Sequence, residues 1–293
     1  MSNTLLVFLH GIGDNIMLTG VLGEYCRLHP EEKIDLAVLN PACQEIWKNN
    51  PLVGNVLLYP ARQPQFWNPV KYYLLHQWKA RRLIRRFNRD GMYQKILFPT
   101  IQTFPELAHH ITRTGCFKYY RLCKEMGVDS KPYPYELYLP SDAVAAGLVG
   151  NLSAQRLAVL HPFSTDAHRR MADDEVEKNL IALQARGFTT LVVGSAKEKP
   201  QVHPSWKTAA AFGLSLGNLV EVLKHAEVFC GADSMVGHLA AFANVPKIII
   251  HSNAWEPQNY RPLSEHGRVL LLPLRKTPKS ERAEAFRQLL DAV

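Results

Sequence analysis

LLVFLHGIGDNIMLTGVL, residues 5–22, opens with five apolar residues in unbroken succession. Such a run without alternation predicts a strand, Leu5–Leu9, buried on both faces, as in a parallel sheet. It enters a glycine-containing turn, His10-Gly11-Ile12-Gly13-Asp14-Asn15, and a helical pattern follows with Ile16, Leu18, Val21, Leu22 and Tyr25 on its apolar side. Outward from there, Ile34–Leu39 reads as a strand, Asn40-Pro41 as a turn, Ala42–Lys48 as a helix and Val56–Tyr59 as a third strand. The order β-α-β-α-β predicts parallel pairing with right-handed crossovers. Lys95–Phe98 reads as a further strand and Phe104–Met126 as mostly helical. DSKPYPYELYLPSD, residues 129–142, carries three prolines and no helical period, and marks a boundary between domains 1–140 and 141–293.

Beyond the boundary the pattern restarts. Strands are expected at Leu157–Leu160, Thr189–Val193, Val228–Cys230, Lys247–Ile250 and Arg268–Leu272. Helices are expected at Asp173–Arg186, Leu219–His225, Val236–Ala243 and Ser280–Val293, the last free to pack back on the first domain. Two similar α/β halves with a cleft between them place ligands at the C-terminal ends of the strands.

The 293 residues suit two domains, and 47% hydrophobic with 20% charged residues excludes a disordered or collagen-like chain. The longest apolar runs are strand-sized, far below the roughly 18 residues of a membrane span, and the start lacks the pattern of a signal peptide. Five cysteines (26, 43, 116, 123, 230) without a C-x-x-C pair argue against a disulfide framework or a cysteine-zinc site. A cytoplasmic protein is expected.

Between Ala61 and Phe98 stand nine basic residues and one acid, so this segment carries the whole formal charge of +8. Aromatic residues are interleaved, Trp67, Tyr72, Tyr73 and Trp78 among them. The segment reads equally as a solvated helix, Tyr72–Asn88, or as a surface for an anionic lipid-linked substrate, with Arg82 and Arg86 as acceptor contacts. Peripheral association with the inner face of the cytoplasmic membrane would follow from the second reading. No nucleic-acid motif accompanies the charge.

The strand-end loops hold the chemistry. Gly11 and Gly13 allow a sharp turn with close approach of a ligand, with Asn15 beside them, and Asp14 serves there either as a site carboxylate or as the N-cap of the following helix. Gly11-x-Gly13 begins a dinucleotide fingerprint, but Ile16 stands at its third glycine and the second strand ends without an acid, so NAD is not expected. In the second half, Gly231-Ala232-Asp233-Ser234-Met235-Val236-Gly237-His238 follows a strand and opens a helix, an arrangement that suits an anion. Asp233 and Ser234 can cap that helix, and Ser234 and His238 share one face of it. His161-Pro162-Phe163-Ser164-Thr165-Asp166-Ala167-His168-Arg169-Arg170 ends another strand, where small hydroxyls and two arginines fit a diphosphate. Gly194-Ser195 forms a further turn open to a ligand. No D-x-D, P-loop or H-E-x-x-H occurs, and scattered histidines give no metal site.

Taken in order, G-I-G-D-N-I-M-L-T-G-V-L, P-L-V-G-N-V, LAVLHPFST, VVGSAKEK, A-E-V-F-C-G-A-D-S, G-H-L-A-A-F-A-N-V-P and Trp255-Glu256-Pro257 resemble glycosyltransferase family 9, the heptosyltransferases of lipopolysaccharide core synthesis. The resemblance covers about two thirds of the chain. It implies the GT-B fold, two Rossmann-like domains with parallel sheets and an interdomain cleft, the first binding acceptor and the second nucleotide-sugar. It implies a metal-independent, inverting transfer from a nucleotide-diphosphate sugar, ADP-linked donors included, to a glycan or lipid-linked acceptor. Asp14 would be the general base. Ser164, Thr165, Arg169, Arg170, Gly194, Ser195, Asp233, Ser234, Gly237 and His238 would hold the donor. Met235 stands where the family usually has glycine, and Arg169-Arg170-Met171-Ala172 replaces the usual Lys-x-Trp-Pro. These departures keep open a catalytically silent GT-B protein that binds a nucleotide or glycan.

Overall fold

The computed structural model describes residues 2–59, 69–99, 118–152, 156–164, 167–253 and 261–292. Thr165, Cys116, Trp255-Glu256-Pro257, the start of the basic segment and most of the helix expected from Phe104 lie outside the described residues. Clustering of contacts divides the chain into Met1–Leu139 and Pro140–Val293.

In the first unit, β1 (Ser2–Phe8), β2 (Glu32–Val38), β3 (Val53–Leu58) and β4 (Lys95–Leu97) form a parallel sheet in the order β3-β2-β1-β4. The unbroken apolar run has its cause in this order: β1 is central, and Leu5, Leu6, Val7 and Phe8 are fully buried. Among the described residues, helices α1 (Ile12–Leu28), α2 (Pro41–Trp47), α3 (Pro69–Arg89) and α4 (Lys118–Met126) accompany the sheet. α3 buries Ala80 and Leu83 against Leu5, Val7, Leu9, Ala37 and Leu39, with Ile84 and Phe87 at the margin. The proline-rich segment is no free linker. Tyr133, Tyr135 and Leu137 are buried, Glu136 N donates to Thr19 Oγ1 at 3.0 Å, and Asn50 Nδ2 donates to Glu136 O at 3.1 Å.

The second unit holds β5 (Leu157–His161), β6 (Thr189–Gly194), β7 (Ala209–Phe212), β8 (Ala226–Ala232), β9 (Lys247–Ser252) and β10 (Arg268–Pro273). All are parallel, in the order β10-β9-β8-β5-β6-β7. Helices α5 (Ala143–Leu152), α6 (Asp173–Gln184), α7 (Leu216–Lys224), α8 (Met235–Phe242) and α9 (Arg282–Asp291) flank the sheet. Phe286 and Leu290 of α9 join the core formed by β5, β6, β8 and α6. Two elements escape the sequence reading. β7 is AAAF, three residues without a side chain that favours strands. α5 is AVAAGLVGNL, apolar throughout and so without a period; Asp142 anchors it, with reciprocal 2.9 Å hydrogen bonds to Asn218 of α7.

With β7 in place the second sheet runs 3-2-1-4-5-6 in unit order. The direction of winding reverses between its first and fourth strands, β5 and β8, and ligands of open α/β sheets bind outside the carboxyl ends at that reversal. In the first unit the reversal lies between β1 and β4.

Candidate functional site

The loop after β1 leads into α1 with Gly11, not Asp14, at the N-cap position. Asp14 lies in the first helical turn, which corrects the N-cap reading; its half-buried carboxylate folds back to 3.6 Å from where a Cβ on Gly11 would stand. Asn15 is corrected too. It is fully buried, and Nδ2 donates to His10 O at 3.2 Å, to Gly11 O at 2.9 Å and to Cys43 Sγ at 3.4 Å. Its Oδ1 accepts from Trp47 Nε1 at 2.9 Å. With both ends spent, Asn15 braces the loop from below and does not reach an acceptor. Burial, with the Asp14 charge second, pushes the Cys43 thiol up to about 12, so it is a packing group rather than a nucleophile.

Arg82 and Arg86 are exposed on α3, one turn apart, and the Arg82 guanidinium lies 5.6 Å from the centroid of the Trp78 ring. Trp78 itself is 55% exposed.

At the reversal of the second sheet, β5 ends in His161 and β8 in Ala232, followed by Asp233 and Ser234. Arg169, in a single 3-10 turn, brings Nη1 to 4.0 Å from Asp233 Oδ2. Its neighbour Arg170 turns away. Nη1 donates to Gln201 Oε1 at 2.7 Å, Nη2 to Gln201 O at 3.2 Å, and the guanidinium lies 5.7 Å from the Phe163 ring centroid. Arg170 therefore ties two loops together.

Two glycines are fixed by packing. A Cβ at Gly194 would stand 2.8 Å from the Phe212 ring and 3.0 Å from Phe163, and one at Gly237 would stand 2.8 Å from Ile250 Cδ1. Both are glycine because protein side chains approach there. Ser195 is exposed, its N–H committed to Glu198 Oε2 at 2.6 Å. Ser164 is half-buried at the end of β5, and Met235 is half-buried as the first residue of α8. His238 is buried one turn further along α8.

Four side chains at this end of the sheet, His161, Glu198, Asn253 and Arg275, were not assigned a role from the sequence. His161 Nδ1 lies 3.0 Å from Ser234 Oγ, and His161 Nε2 lies 3.9 Å from Glu198 Oε2. Burial pushes the His161 imidazole down to about 4, so it is neutral at physiological pH, with Glu198 acting in the opposite direction. Asn253 Nδ2 donates to His168 O, while Arg275 Nε donates to Asn253 O at 2.6 Å, lacing the loops after β5, β9 and β10. The available signal was position alone: a polar residue ending a buried strand faces the loops at that end.

His29, Glu31 and Glu32 form the one group among the described residues with metal-ligand spacing, and Glu32 already pairs with Lys95 at 2.7 Å. No helix among the described residues is long and apolar enough to cross a membrane.

Residues 154–290 match the model of glycosyltransferase family 9 (heptosyltransferase). No curated protein sequence matches the chain. Among solved structures, the family 9 glycosyl transferase of Veillonella parvula is similar at TM-score 0.66 and 14% identity, covering 100% of this chain and 90% of that one. The E. coli heptosyltransferase WaaC with ADP is similar at 0.64 and 16%, covering 99% of each chain. The E. coli ADP-heptose lps heptosyltransferase II is similar at 0.60 and 14%, covering 99% of this chain and 100% of that one. Residues 154–290 of the C-terminal unit thus match the family 9 glycosyltransferase (heptosyltransferase) domain, and the chain shares the two-domain GT-B fold of these structures.

Proposed function

We propose that the protein transfers a sugar, heptose foremost, from a nucleotide-diphosphate donor to a glycan or lipid-linked acceptor of the cell envelope, with inversion and without a metal. The observation that carries this reading is the meeting of Arg169, Asp233 and Ser234 at the N-terminus of α8, at the reversal of a 3-2-1-4-5-6 sheet. Backbone N–H groups at a helix start and a fixed guanidinium suit a diphosphate. Asp233, a carboxylate, suits the donor's hydroxyls rather than its phosphates. In the reaction Asp14 removes the proton from an acceptor hydroxyl as that oxygen forms its bond to the anomeric carbon. The bond from that carbon to the diphosphate oxygen breaks on the opposite face. The charge left on the nucleoside diphosphate is met by Arg169, Ser234 and the start of α8.

Neighbouring structures were solved with ADP and with ADP-2-deoxy-2-fluoro heptose, and ADP is the first nucleotide to try. The experiment is a thermal-shift panel of ADP, GDP, UDP and dTDP on wild type and Arg169→Ala. A nucleotide at about 100 times its Kd adds roughly 2.7 kcal/mol of stability. We expect a selective shift, lost in the variant and unaffected by EDTA. No shift with any nucleotide would overturn the donor reading and favour a silent protein, for which Met235 at the start of α8 would be the first cause to test. The basic face of α3 serves the same reading, holding the enzyme against an anionic membrane that presents the acceptor.

A further inference from the structure

Ser234 occupies the N-cap position of α8 with the extended backbone that a capping serine adopts, φ −152° and ψ 174°, yet its side chain makes no cap hydrogen bond. A serine there ordinarily folds its oxygen back onto the N–H two or three residues on. Here the oxygen is held elsewhere, 3.0 Å from His161 Nδ1 on the adjacent strand. Gly231 makes the approach possible, because a Cβ at that position would stand 2.7 Å from His161 O across the β5–β8 pairing. The imidazole is fixed on its other sides. The Phe163 ring meets it edge-on with centroids 5.8 Å apart, and Glu198, anchored by the Ser195 N–H, lies 3.9 Å from Nε2. A carboxylate beside Nε2 favours the proton on that nitrogen. Nδ1 then carries the lone pair and accepts the Ser234 hydroxyl.

We infer that His161 is a positioning residue of the donor site: by holding Ser234 Oγ it prevents the serine from capping α8, and so keeps the Val236 N–H group for the donor's diphosphate. Gly237 N, three residues on, is already bonded to Ser234 O at 3.2 Å, so the Val236 amide, two residues on, is the one at stake. This inference rests on the donor reading above and names the residue that maintains it. Without His161 the serine is free to swing onto its own helix, and a ligand must then displace an internal cap worth about fivefold in affinity, the usual worth of such a bond.

The test is the affinity of His161→Ala, His161→Asn, His161→Gln, Ser234→Ala and the double variant His161→Ala/Ser234→Ala. The probe is whichever of ADP, GDP, UDP and dTDP binds wild type most tightly, and each variant's thermal midpoint is recorded without ligand. His161→Ala is expected to bind about fivefold more weakly, and removal of the serine in the double variant to restore the affinity of Ser234→Ala. His161→Asn retains a polar atom near the Nδ1 position and is expected within about twofold of wild type, whereas Gln, whose amide reaches the Nε2 position, behaves as Ala. A purely packing role for His161 would move the midpoint but would give neither suppression by Ser234→Ala nor the difference between Asn and Gln. A loss in His161→Ala that the second substitution leaves unchanged or deepens would overturn the inference. Arg169→Ala separates the two levels of reading. If it weakens nucleotide binding while suppression fails, only the role of His161 falls; if it changes nothing, or wild type binds no nucleotide, the donor site falls first.

Discussion

At the carboxyl ends of β5 and β8 the side chains are tied down, Arg169 to Asp233, Ser234 to His161 and Arg170 to Gln201, with Arg275 on the main-chain carbonyl of Asn253. At the end of β1 a half-buried carboxylate, Asp14, stands on a loop braced from beneath by Asn15. A cross-linked loop system holds one fixed arrangement of donors and suits a ligand common to many relatives, such as a nucleoside diphosphate. A carboxylate on a braced turn supplies one proton-transfer step and leaves the recognition of the second substrate to surfaces around it. The family model follows the same division, matching 154–290 and not the first unit. On the proposed function, the C-terminal site would be specified by chemistry shared across a family and the N-terminal one by its own acceptor.

The strongest way to break this division is Asp14→Asn. Loss of a general base costs about 10²–10⁴-fold in turnover, and nucleotide affinity should stay within about twofold of wild type. Steady-state transfer alongside nucleotide titration reads both. Near-wild-type turnover would remove Asp14 from the chemistry, and a parallel loss of nucleotide affinity would dissolve the division of labour.

Asn15→Ala sharpens it next. The substitution strips the amide from Gly11 O and leaves Trp47 Nε1 buried without its acceptor, a loss of about 2–3 kcal/mol in unfolding free energy. Denaturant unfolding gives the stability change. Turnover should fall more than nucleotide affinity, because the brace supports the loop that carries Asp14; equal losses would mean that Asn15 serves the fold alone.

Third comes the basic face of α3. Arg82→Ala with Arg86→Ala removes about 2 kcal/mol of attraction to an anionic bilayer, roughly 30-fold in vesicle binding at low salt. Co-sedimentation with phosphatidylglycerol vesicles measures it, with phosphatidylcholine vesicles as the neutral control. Wild-type binding that ignores lipid charge and salt would remove the membrane from the proposal.

These contrasts also mark what the sequence discloses. The central strands are legible because burial on both faces leaves an unbroken apolar run, as at Leu5–Leu9 and Leu157–Leu160. β7 is hidden because alanines carry no strand signature, and without it the 3-2-1-4-5-6 order is one strand short. Arg169 and Arg170 are adjacent and chemically alike, and only the position of Gln201, 31 residues on from Arg170, tells them apart. Asn15 looks like a loop residue open to ligand until Cys43 and Trp47, 28 and 32 residues away in sequence, close over it. In each case the missing information is a distant partner, which no local pattern encodes.

The smallest effect separates the units by pH. In the C-terminal unit burial pushes His161 down to about 4 and His251 down to about 3, with the Arg282 charge adding to the second shift. Both are neutral when folded, whereas in the unfolded chain each titrates near its ordinary value of about 6.5. The unfolded chain therefore binds more protons below that value, and stability present above about pH 6.5 is lost as pH falls, by about 1.4 kcal/mol per unit for each histidine. Between pH 7.5 and 5.5, His251→Gln should lose about 1.4 kcal/mol less than wild type; Gln keeps an acceptor for Asn179 Nδ2, which lies 3.2 Å from His251 Nε2. Hydrogen exchange read separately over 2–139 and 140–292 should find the acid-labile protection in the second range. Equal loss in both ranges, or a pH slope unmoved by His251→Gln, would show that buried neutral histidines are not what makes the donor-binding half sensitive to acid.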